Sequence, residues 1–153
     1  MLLRRSAGVT TGCARNPDLH RCGIMPAGVT PRLRLFPPEV ASVRRARLHV
    51  QDVAGIDATH PAALCVSELA ANAVLHAATP FTVTVNHRAH FVHVEVADQA
   101  SSLPATLRSA PSTFTSFTPD GRGLQIVAAL ATRWGIESGD EGKTIWFDVP
   151  SDA

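Results

Sequence analysis

Two neighbouring segments of this chain alternate strictly between apolar and polar residues. Residues 81–85 read Phe-Thr-Val-Thr-Val, and residues 92–96 read Val-His-Val-Glu-Val. Successive side chains of a strand point to opposite faces, so each segment has one apolar and one polar face. A tight connection around residues 88–90 predicts that the two strands form an antiparallel hairpin. Because the apolar face of a sheet must be covered, the rest of the chain has to supply a second layer.

The segments on either side of the hairpin predict helices and further strands. The Ala- and Leu-rich residues 60–78 predict a helix, which Thr59 or Asp57 would cap and Pro80 would end. The other predicted elements, in chain order, are a strand over 32–36, a helix from Pro38-Glu39 to about Val53 that Gly55 ends, a loop over 99–120, a helix over 123–131, a strand over 133–138, a turn over 139–142 and a last strand over 143–149.

Elements in this order predict an α+β fold, a two-layer sandwich with a mostly antiparallel sheet and helices on one face. The length of 153 residues and the apolar content of 45% suit one hydrophobic core. We expect the domain to span residues 30–150. Residues 1–29 lack a periodic apolar pattern and are expected to be a disordered extension, followed at the other end by a short tail over 151–153.

Charge and cysteine content limit the classes of function. A net charge of +1 argues against a general nucleic-acid binder, although nine of the fourteen basic residues are arginines within residues 1–50. That arginine-rich segment either forms a surface for an acidic partner protein or nucleic acid, or is a solvated, partly disordered arm. No stretch approaches the roughly 20 apolar residues of a membrane helix, so no membrane association is expected. Three cysteines without an export signal suit a reducing cytoplasm.

Polar residues recur on one side of the predicted helix over 60–78. Glu68, Asn72 and His76 are spaced four residues apart, so they lie in one stripe beside the apolar face of the helix. Polar groups next to a core are costly unless they meet a partner. A carboxylate and an amide one turn apart suit Mg²⁺ and phosphate, because Mg²⁺ prefers oxygen ligands. An ordinary solvated stripe is the alternative.

Asp98 follows the second strand of the hairpin and shares the face of Val92, Val94 and Val96. A carboxylate on a core-facing side needs hydrogen-bond donors to offset its desolvation. The exocyclic amine of adenine would be such a donor. The alternative is a strand-end aspartate that is already in water or caps a turn.

Gly121 and Gly123 flank Arg122 where the long loop meets the next predicted helix. Glycines let the backbone approach a ligand closely, and the N-terminus of a helix presents free N–H groups to phosphate. A plain turn is the commoner cause of a Gly-x-Gly pattern.

These motifs in this order resemble the histidine-kinase-like ATPases of the Bergerat fold. The resemblance rests on Glu68-x-x-x-Asn72 on a helix, Asp98 at a strand end, Gly-Arg-Gly-Leu at the start of a helix, and the closing segment Gly142–Pro150. It covers about residues 31–150, and the short chain is similar to the anti-sigma-factor serine/threonine kinase branch of that family.

The resemblance implies ATP and Mg²⁺ as cofactors and assigns roles to single residues. Asn72 would hold Mg²⁺, Asp98 would accept a hydrogen bond from the adenine amine, and Gly121 and Gly123 would wrap the phosphates. Glu68 would be the catalytic base that activates a serine or threonine hydroxyl of a partner protein. The implied nucleotide-binding residues are Asn72, Asp98, Gly121, Arg122, Gly123 and Thr144.

The chain departs from the family pattern at two positions. Where the family commonly has glycine two residues after the adenine-binding aspartate, this chain has Ala100. Where the family often has threonine after the glycine of the last strand, this chain has Lys143, and Thr144 falls one residue later on the other face.

The resemblance implies an anti-sigma-factor antagonist as the phosphorylated partner, with a sigma factor as a further candidate partner and a homodimer as a candidate assembly. The rival hypothesis is a non-catalytic regulator that binds nucleotide and sequesters a protein. Glu68 and Asn72 favour the kinase, whereas Ala100 and Lys143 favour the sequestering regulator. A nucleic-acid-binding module rests only on the N-terminal arginines.

Two other residue types suggest chemistry but are interpreted structurally. His87, His90 and His93 crowd the hairpin and are expected to be surface histidines. Cys65, which lies close to Glu68, is expected to be a small buried side chain rather than a nucleophile.

Overall fold

The computed structural model describes residues 30–101 and 122–153. Within these ranges the strands are β1 (Arg32–Phe36), β2 (Phe81–His87), β3 (Phe91–Asp98), β4 (Arg133–Gly139) and β5 (Gly142–Pro150). The helices are α1 (Val40–Ala54), α2 (Pro61–Asn72) and α3 (Arg122–Leu130), and a π-helical turn over Ala73–Ala77 continues α2. The predictions for residues 1–29, for most of the loop over 99–120 and for Gly121 lie outside the described residues.

All strands belong to one antiparallel sheet with the order β1-β2-β3-β5-β4. The helices cover one of its faces: α1 packs on β1 and β2, α2 on β3 and β5, and α3 on α2 and β4. This architecture confirms the predicted α+β sandwich, including the hairpin formed by β2 and β3. Of the helices within the described ranges, none is both long and apolar enough to cross a membrane.

The core lies between the sheet and the helices. In register, Val83 of β2 is opposite Val96 of β3, and Val94 of β3 is opposite Phe147 of β5. The buried apolar side chains from the strands include Phe36, Phe81, Val83, Val85, Val92, Val94, Val96, Trp134, Ile136, Ile145, Phe147 and Val149. The helices contribute Ala46, Val50, Ala54, Ala62, Cys65, Val66, Leu69, Ala70, Leu124 and Val127. The strict alternation of the sequence therefore corresponds to one buried face.

The ends of the first two helices are only partly as predicted. Gly55 ends α1 with a positive φ of 66°, as expected of a glycine in the left-handed region. The N-cap of α2 is His60, whose ring nitrogen accepts the N–H of Ala62, so the prediction of Thr59 or Asp57 was wrong. Pro61 occupies the first helical position, which makes the residue before it the cap. Asp57 instead accepts from Thr59 in the preceding turn.

The predicted helix over 60–78 is α-helical only as far as Asn72. A π-helical turn follows and ends at Ala78, a non-glycine residue with a φ of 51°. The wider turn interrupts the spacing of the polar stripe directly after Asn72. His76 is consequently exposed, whereas Glu68 and Asn72 are half-buried. The predicted stripe is therefore reduced to two residues.

The sheet face away from the helices carries a charged cluster formed by His93, Glu95, Arg133 and Asp148. Register places His93 opposite Asp148, and Asp148 opposite Arg133. The ring of His93 is only 18% exposed and donates to Asp148 over 2.6 Å and to Glu95 over 3.0 Å. Arg133 also donates to Asp148. The surface prediction holds for His87 and His90 but was wrong for His93, because its cross-strand partners were not visible in the sequence.

The charged cluster has a consequence for stability. Burial by itself lowers the pKa of His93, but the hydrogen bonds to Asp148 and Glu95 outweigh it and raise the pKa to about 9. Burial opposes ionisation of Asp148, but His93 and Arg133 hold the pKa of that carboxyl below its usual range. The hydrogen bond from His93 likewise lowers the pKa of Glu95.

We expect the stabilisation by His93 to depend on pH. Because folding raises the pKa of His93, its protonated ring stabilises the folded protein in full below the unfolded-state pKa of 6.5. This stabilisation is lost as the pH rises through the folded-state pKa of about 9. His93→Gln should therefore cost about 1–2 kcal/mol at pH 6, after allowance for partial exposure, and much less at pH 10. Urea unfolding at both pH values measures this, with the exposed His90→Gln as the control. A cost for His93→Gln that is the same at both pH values would contradict the prediction.

Candidate functional site

The half-buried pair Glu68 and Asn72 lies one turn apart on α2, at the border of the core. Their neighbours Leu69 and Ala70 are fully buried against the sheet. Neither Glu68 nor Asn72 has a side-chain hydrogen bond to any residue within 30–101 or 122–153. The two half-buried groups are therefore free to meet either water or a ligand.

The N-terminal end of α3 lies directly against this pair. A Cβ atom added to Gly123 would be 3.2 Å from Oε2 of Glu68 and 3.3 Å from Nδ2 of Asn72. Any side chain at Gly123 would fill the space next to the carboxylate and the amide. The structure thus brings together Glu68, Asn72 and the start of a helix, where backbone N–H groups and the helix dipole favour an anion. Arg122 is exposed beside them.

Asp98 is the last residue of β3, and its side chain is only 6% exposed. Its position on the core-facing side confirms the prediction from strand alternation. Of the two alternatives, an aspartate in water was wrong, whereas an aspartate that caps a turn is confirmed, because the carboxylate accepts from the backbone N–H two residues later. One oxygen, Oδ1, accepts from Nζ of Lys143 over 2.8 Å and from the backbone N–H of Ala100 over 2.9 Å. The sequence suggested no protein donor for Asp98, but the protein supplies two.

The side chains of Lys143 and Thr144 point to opposite faces of the sheet. Register places Lys143 opposite Asp98 and Thr144 opposite Ala97. Lys143 therefore shares the core-facing side of Ile145 and is buried, with a side chain that is 6% exposed. Thr144 projects from the other face, so the structure does not bring its side chain to the carboxylate of Asp98.

Sequence reasoning missed Lys143 as a site residue and noted it only as a departure from the family pattern. The alternation of residues 143–149 carried the signal, since it puts Lys143 on the face of Ile145, Phe147 and Val149. Lys143 begins the apolar face of β5, and Asp98 ends the apolar face of β3. With the pairing of these two strands known, the sequence would have suggested an ion pair. The missing information was the register between β3 and β5, which neither strand specifies alone.

Gly142 allows the two strand ends to approach each other. Its φ is 143°, and a Cβ atom at this position would lie 2.1 Å from the backbone oxygen of Asp98. That distance is far below any contact that a methyl group can make. Glycine is consequently required where β5 begins next to the end of β3.

Two other sequence predictions concern chemistry near the pair on α2. Cys65 is buried, and burial together with the charge of Glu68 raises its pKa to about 12, which confirms a packing role. Across the described parts of the chain, no group of three or more His, Cys, Asp or Glu residues could hold a metal ion. Mg²⁺ needs no such group, because it is commonly held by one or two side chains together with phosphate oxygens.

Fold and site together define a small α+β domain in which a carboxylate, an amide and the glycine-containing start of a helix lie side by side. A family model described as a histidine kinase-like ATPase domain matches residues 36–149. Since this match covers well over half of the 153 residues, the chain belongs to the histidine kinase-like ATPase domain family. Membership implies ATP binding, usually with Mg²⁺. No curated protein matches the chain.

The contact at Gly142 predicts a large difference between two glycines of the β4–β5 turn. Gly142→Ala should destabilise the domain by about 2 kcal/mol or more, because the methyl group collides with the backbone of Asp98 at an unfavourable φ. Gly139→Ala is the matched control: nothing lies within 4 Å of its added Cβ, so its effect should stay within about 0.5 kcal/mol. Urea denaturation measures both, and equal effects would show that β5 does not approach Asp98 as described.

Proposed function

We propose that this chain is an ATP-dependent serine/threonine protein kinase of the anti-sigma-factor type, which phosphorylates an anti-sigma-factor antagonist. The observation that carries the proposal is the contact of Glu68 and Asn72 with the helix start at Gly123. It supports the proposal because a carboxylate lies next to a helix N-terminus, where phosphate would bind. A sigma factor is a further candidate partner, and both would be met in the cytoplasm.

The residues around Gly123 suit a magnesium-bound triphosphate. Gly123 lets the start of α3 approach Asn72 more closely than a side chain would allow, and the amide oxygen of Asn72 is a hard ligand of the type that Mg²⁺ prefers. Asn72 would hold the metal, and the N–H groups at the start of α3 would hold phosphate together with Gly121 and Arg122. Bound Mg²⁺ neutralises charge that develops on the phosphates during transfer.

Glu68 is proposed as the general base. Its carboxylate is half-buried next to the proposed phosphate position and has no hydrogen bond to a described residue. In the transfer step a serine or threonine hydroxyl of the partner would attack the terminal phosphorus of ATP, and its proton would pass to the carboxylate of Glu68. The bond between that phosphorus and the β–γ bridging oxygen would break, and ADP would leave. Phosphoryl transfer depends mainly on positioning and charge neutralisation, so a base needs only to align the hydroxyl.

Asp98 is proposed to accept a hydrogen bond from the adenine amine. The second oxygen, Oδ2, has no donor within the ranges that the structure describes, whereas Oδ1 already has two. Thr144 is left out of the proposed site, because its side chain lies on the other face of the sheet. The resemblance implied a role for Thr144 that the position of its side chain does not support.

A non-catalytic regulator that sequesters its partner is the second candidate function. The observation in its favour is the ion pair between Lys143 and Asp98, which engages the carboxylate proposed for adenine. A protein of this kind would form a tight complex with the antagonist but would transfer no phosphate to it.

Substitution of Glu68 separates the two candidates. Glu68→Ala should leave ATP affinity within a few-fold and slow phosphate transfer by about 10²–10⁴-fold, since removal of a general base has effects of this size. The measurement is transfer of labelled phosphate from ATP to anti-sigma-factor-antagonist domains of the same genome. Glu141→Ala, at an exposed glutamate of the β4–β5 turn, is the matched control and should transfer at the wild-type rate.

The outcomes of this experiment differ for each hypothesis. Equal transfer by the wild type and Glu68→Ala would remove Glu68 from the mechanism. A wild-type protein that binds an antagonist domain tightly but transfers no phosphate would support the sequestering regulator and contradict the kinase.

A further inference from the structure

The outer edge of β1 is unpaired in the part of the chain that the structure describes. β1 is the first strand in the order β1-β2-β3-β5-β4, and its register is with β2 alone. In an antiparallel pair, every second residue turns its backbone N–H and C=O groups away from the partner strand. An edge of this kind can accept a further strand through main-chain hydrogen bonds.

A groove of about 480 Å³ lies between β1 and α1. Its lining residues are Arg32, Leu33, Arg34, His49, Asp52 and Val53. The two elements are in contact here, since Nε2 of His49 lies 3.4 Å from the backbone oxygen of Arg32. A strand added to β1 would therefore also meet side chains of α1.

The two faces of β1 differ in their chemistry. Arg32 and Arg34 lie opposite buried valines of β2, so their side chains point to the helix side of the sheet. Leu33 and Leu35 point to the open face and are each 64% exposed. Within residues 30–101 and 122–153, neither arginine forms an ion pair with a carboxylate. The edge therefore offers two guanidinium groups on one face and two exposed leucines on the other.

The alternation of β1 specifies the strand that would fit its edge, because residues opposite each other on neighbouring strands share a face and interact. Such a strand would present acidic side chains beside the arginines and apolar side chains beside the leucines. The surrounding charge adds to this preference, since residues 32–54 contain five arginines but only Glu39 and Asp52 as acids. The edge of β1 is therefore complementary to a segment in which acidic and apolar residues alternate.

The same argument disfavours the two occupants that this chain itself could supply. If the β1 strands of two copies paired, their arginine-bearing faces would lie side by side, and like charges on neighbouring strands are destabilising. Residues 1–29 carry four arginines and a single acid, Asp18, so they have the wrong charge for this edge. An acidic partner protein is the occupant that the charges favour.

We propose that the edge of β1 and the groove beside it bind a partner protein by strand addition, through an extended segment in which acidic residues alternate with apolar ones. The acidic side chains pair with Arg32 and Arg34, and the apolar ones cover Leu33 and Leu35. Neither β1 nor α1 carries a residue of the candidate ATP site, so this proposal goes beyond the proposed function and does not depend on it.

The first test is binding of a synthetic probe to the full-length protein. The probe is a labelled, capped peptide of alternating valine and glutamate, about seven residues long to match β1. Fluorescence anisotropy should show saturable binding. A peptide with lysine in place of glutamate, and one of the same composition with its glutamates in a single block, should each bind at least about tenfold more weakly. No saturable binding of the probe up to about 1 mM, or equal affinity for the three peptides, would overturn the proposal.

Reversal of one charge on β1 should reverse the preference between peptides. Arg34→Glu should weaken binding of the glutamate peptide by about fivefold or more and strengthen binding of the lysine peptide. Arg44→Glu, at an exposed arginine of α1 that does not line the groove, is the matched control and should change both affinities by less than about twofold. Equal effects of the two substitutions would show that binding follows net charge rather than the edge of β1, which contradicts the proposal.

Amide hydrogen exchange distinguishes strand addition from other kinds of binding. The N–H groups of β1 that turn away from β2 should exchange at least about tenfold more slowly when the glutamate peptide is bound. Peptide binding without this protection would indicate contact through side chains alone and would contradict strand addition. Protection of the same N–H groups in the peptide-free protein that increases with protein concentration would assign the edge to a second copy of the chain, which also overturns the proposal.

Discussion

The antiparallel pairing of β3 with β5 is the constraint on which the rest of the structure depends. One register sets Val94 against Phe147 in the core and His93 against Asp148 on the open face, and it places Asp98 opposite Lys143 at the end of the sheet. A shift by one residue would move every side chain of a strand to the other face. Because the buried face, the charged cluster and the ion pair all depend on this register, a shift would disrupt all three at once.

The helices build the other half of the site on that sheet. Helix α2 lies on β3 and β5 with a fully apolar buried side, which fixes Glu68 and Asn72 at the border of the core. Helix α3 packs on α2 with Gly123 at the contact, so the start of one helix faces polar residues of another. The phosphate side of the proposed site therefore comes from helix packing, whereas the base side comes from strand pairing.

The sequence predicted those features that depend on residues close together in the chain. Alternation predicted the hairpin and the side of the sheet on which Asp98 lies, and Gly55 predicted a helix end. The partner of Asp98, Lys143, was missed because register between distant strands is a property of the fold. The π-helical turn after Asn72 has no sequence signature that distinguishes it from the α-helix predicted there. His93 was misplaced for the same reason as Lys143: its carboxylate partner lies on a strand that comes much later in the chain.

Membership of the ATPase domain family implies ATP binding, and Asp98 and Mg²⁺ are proposed to hold the nucleotide. Calorimetric titration of the full-length protein with ATP tests this directly, with Mg²⁺ present and then removed by EDTA, for the wild type and for Asp98→Asn. We predict saturable binding to one site per chain. The affinity should weaken without Mg²⁺ and fall by about tenfold or more in Asp98→Asn, as expected for the loss of a charge-assisted hydrogen bond. Absence of binding by the wild type at millimolar ATP, or equal affinity in the two proteins, would contradict this prediction.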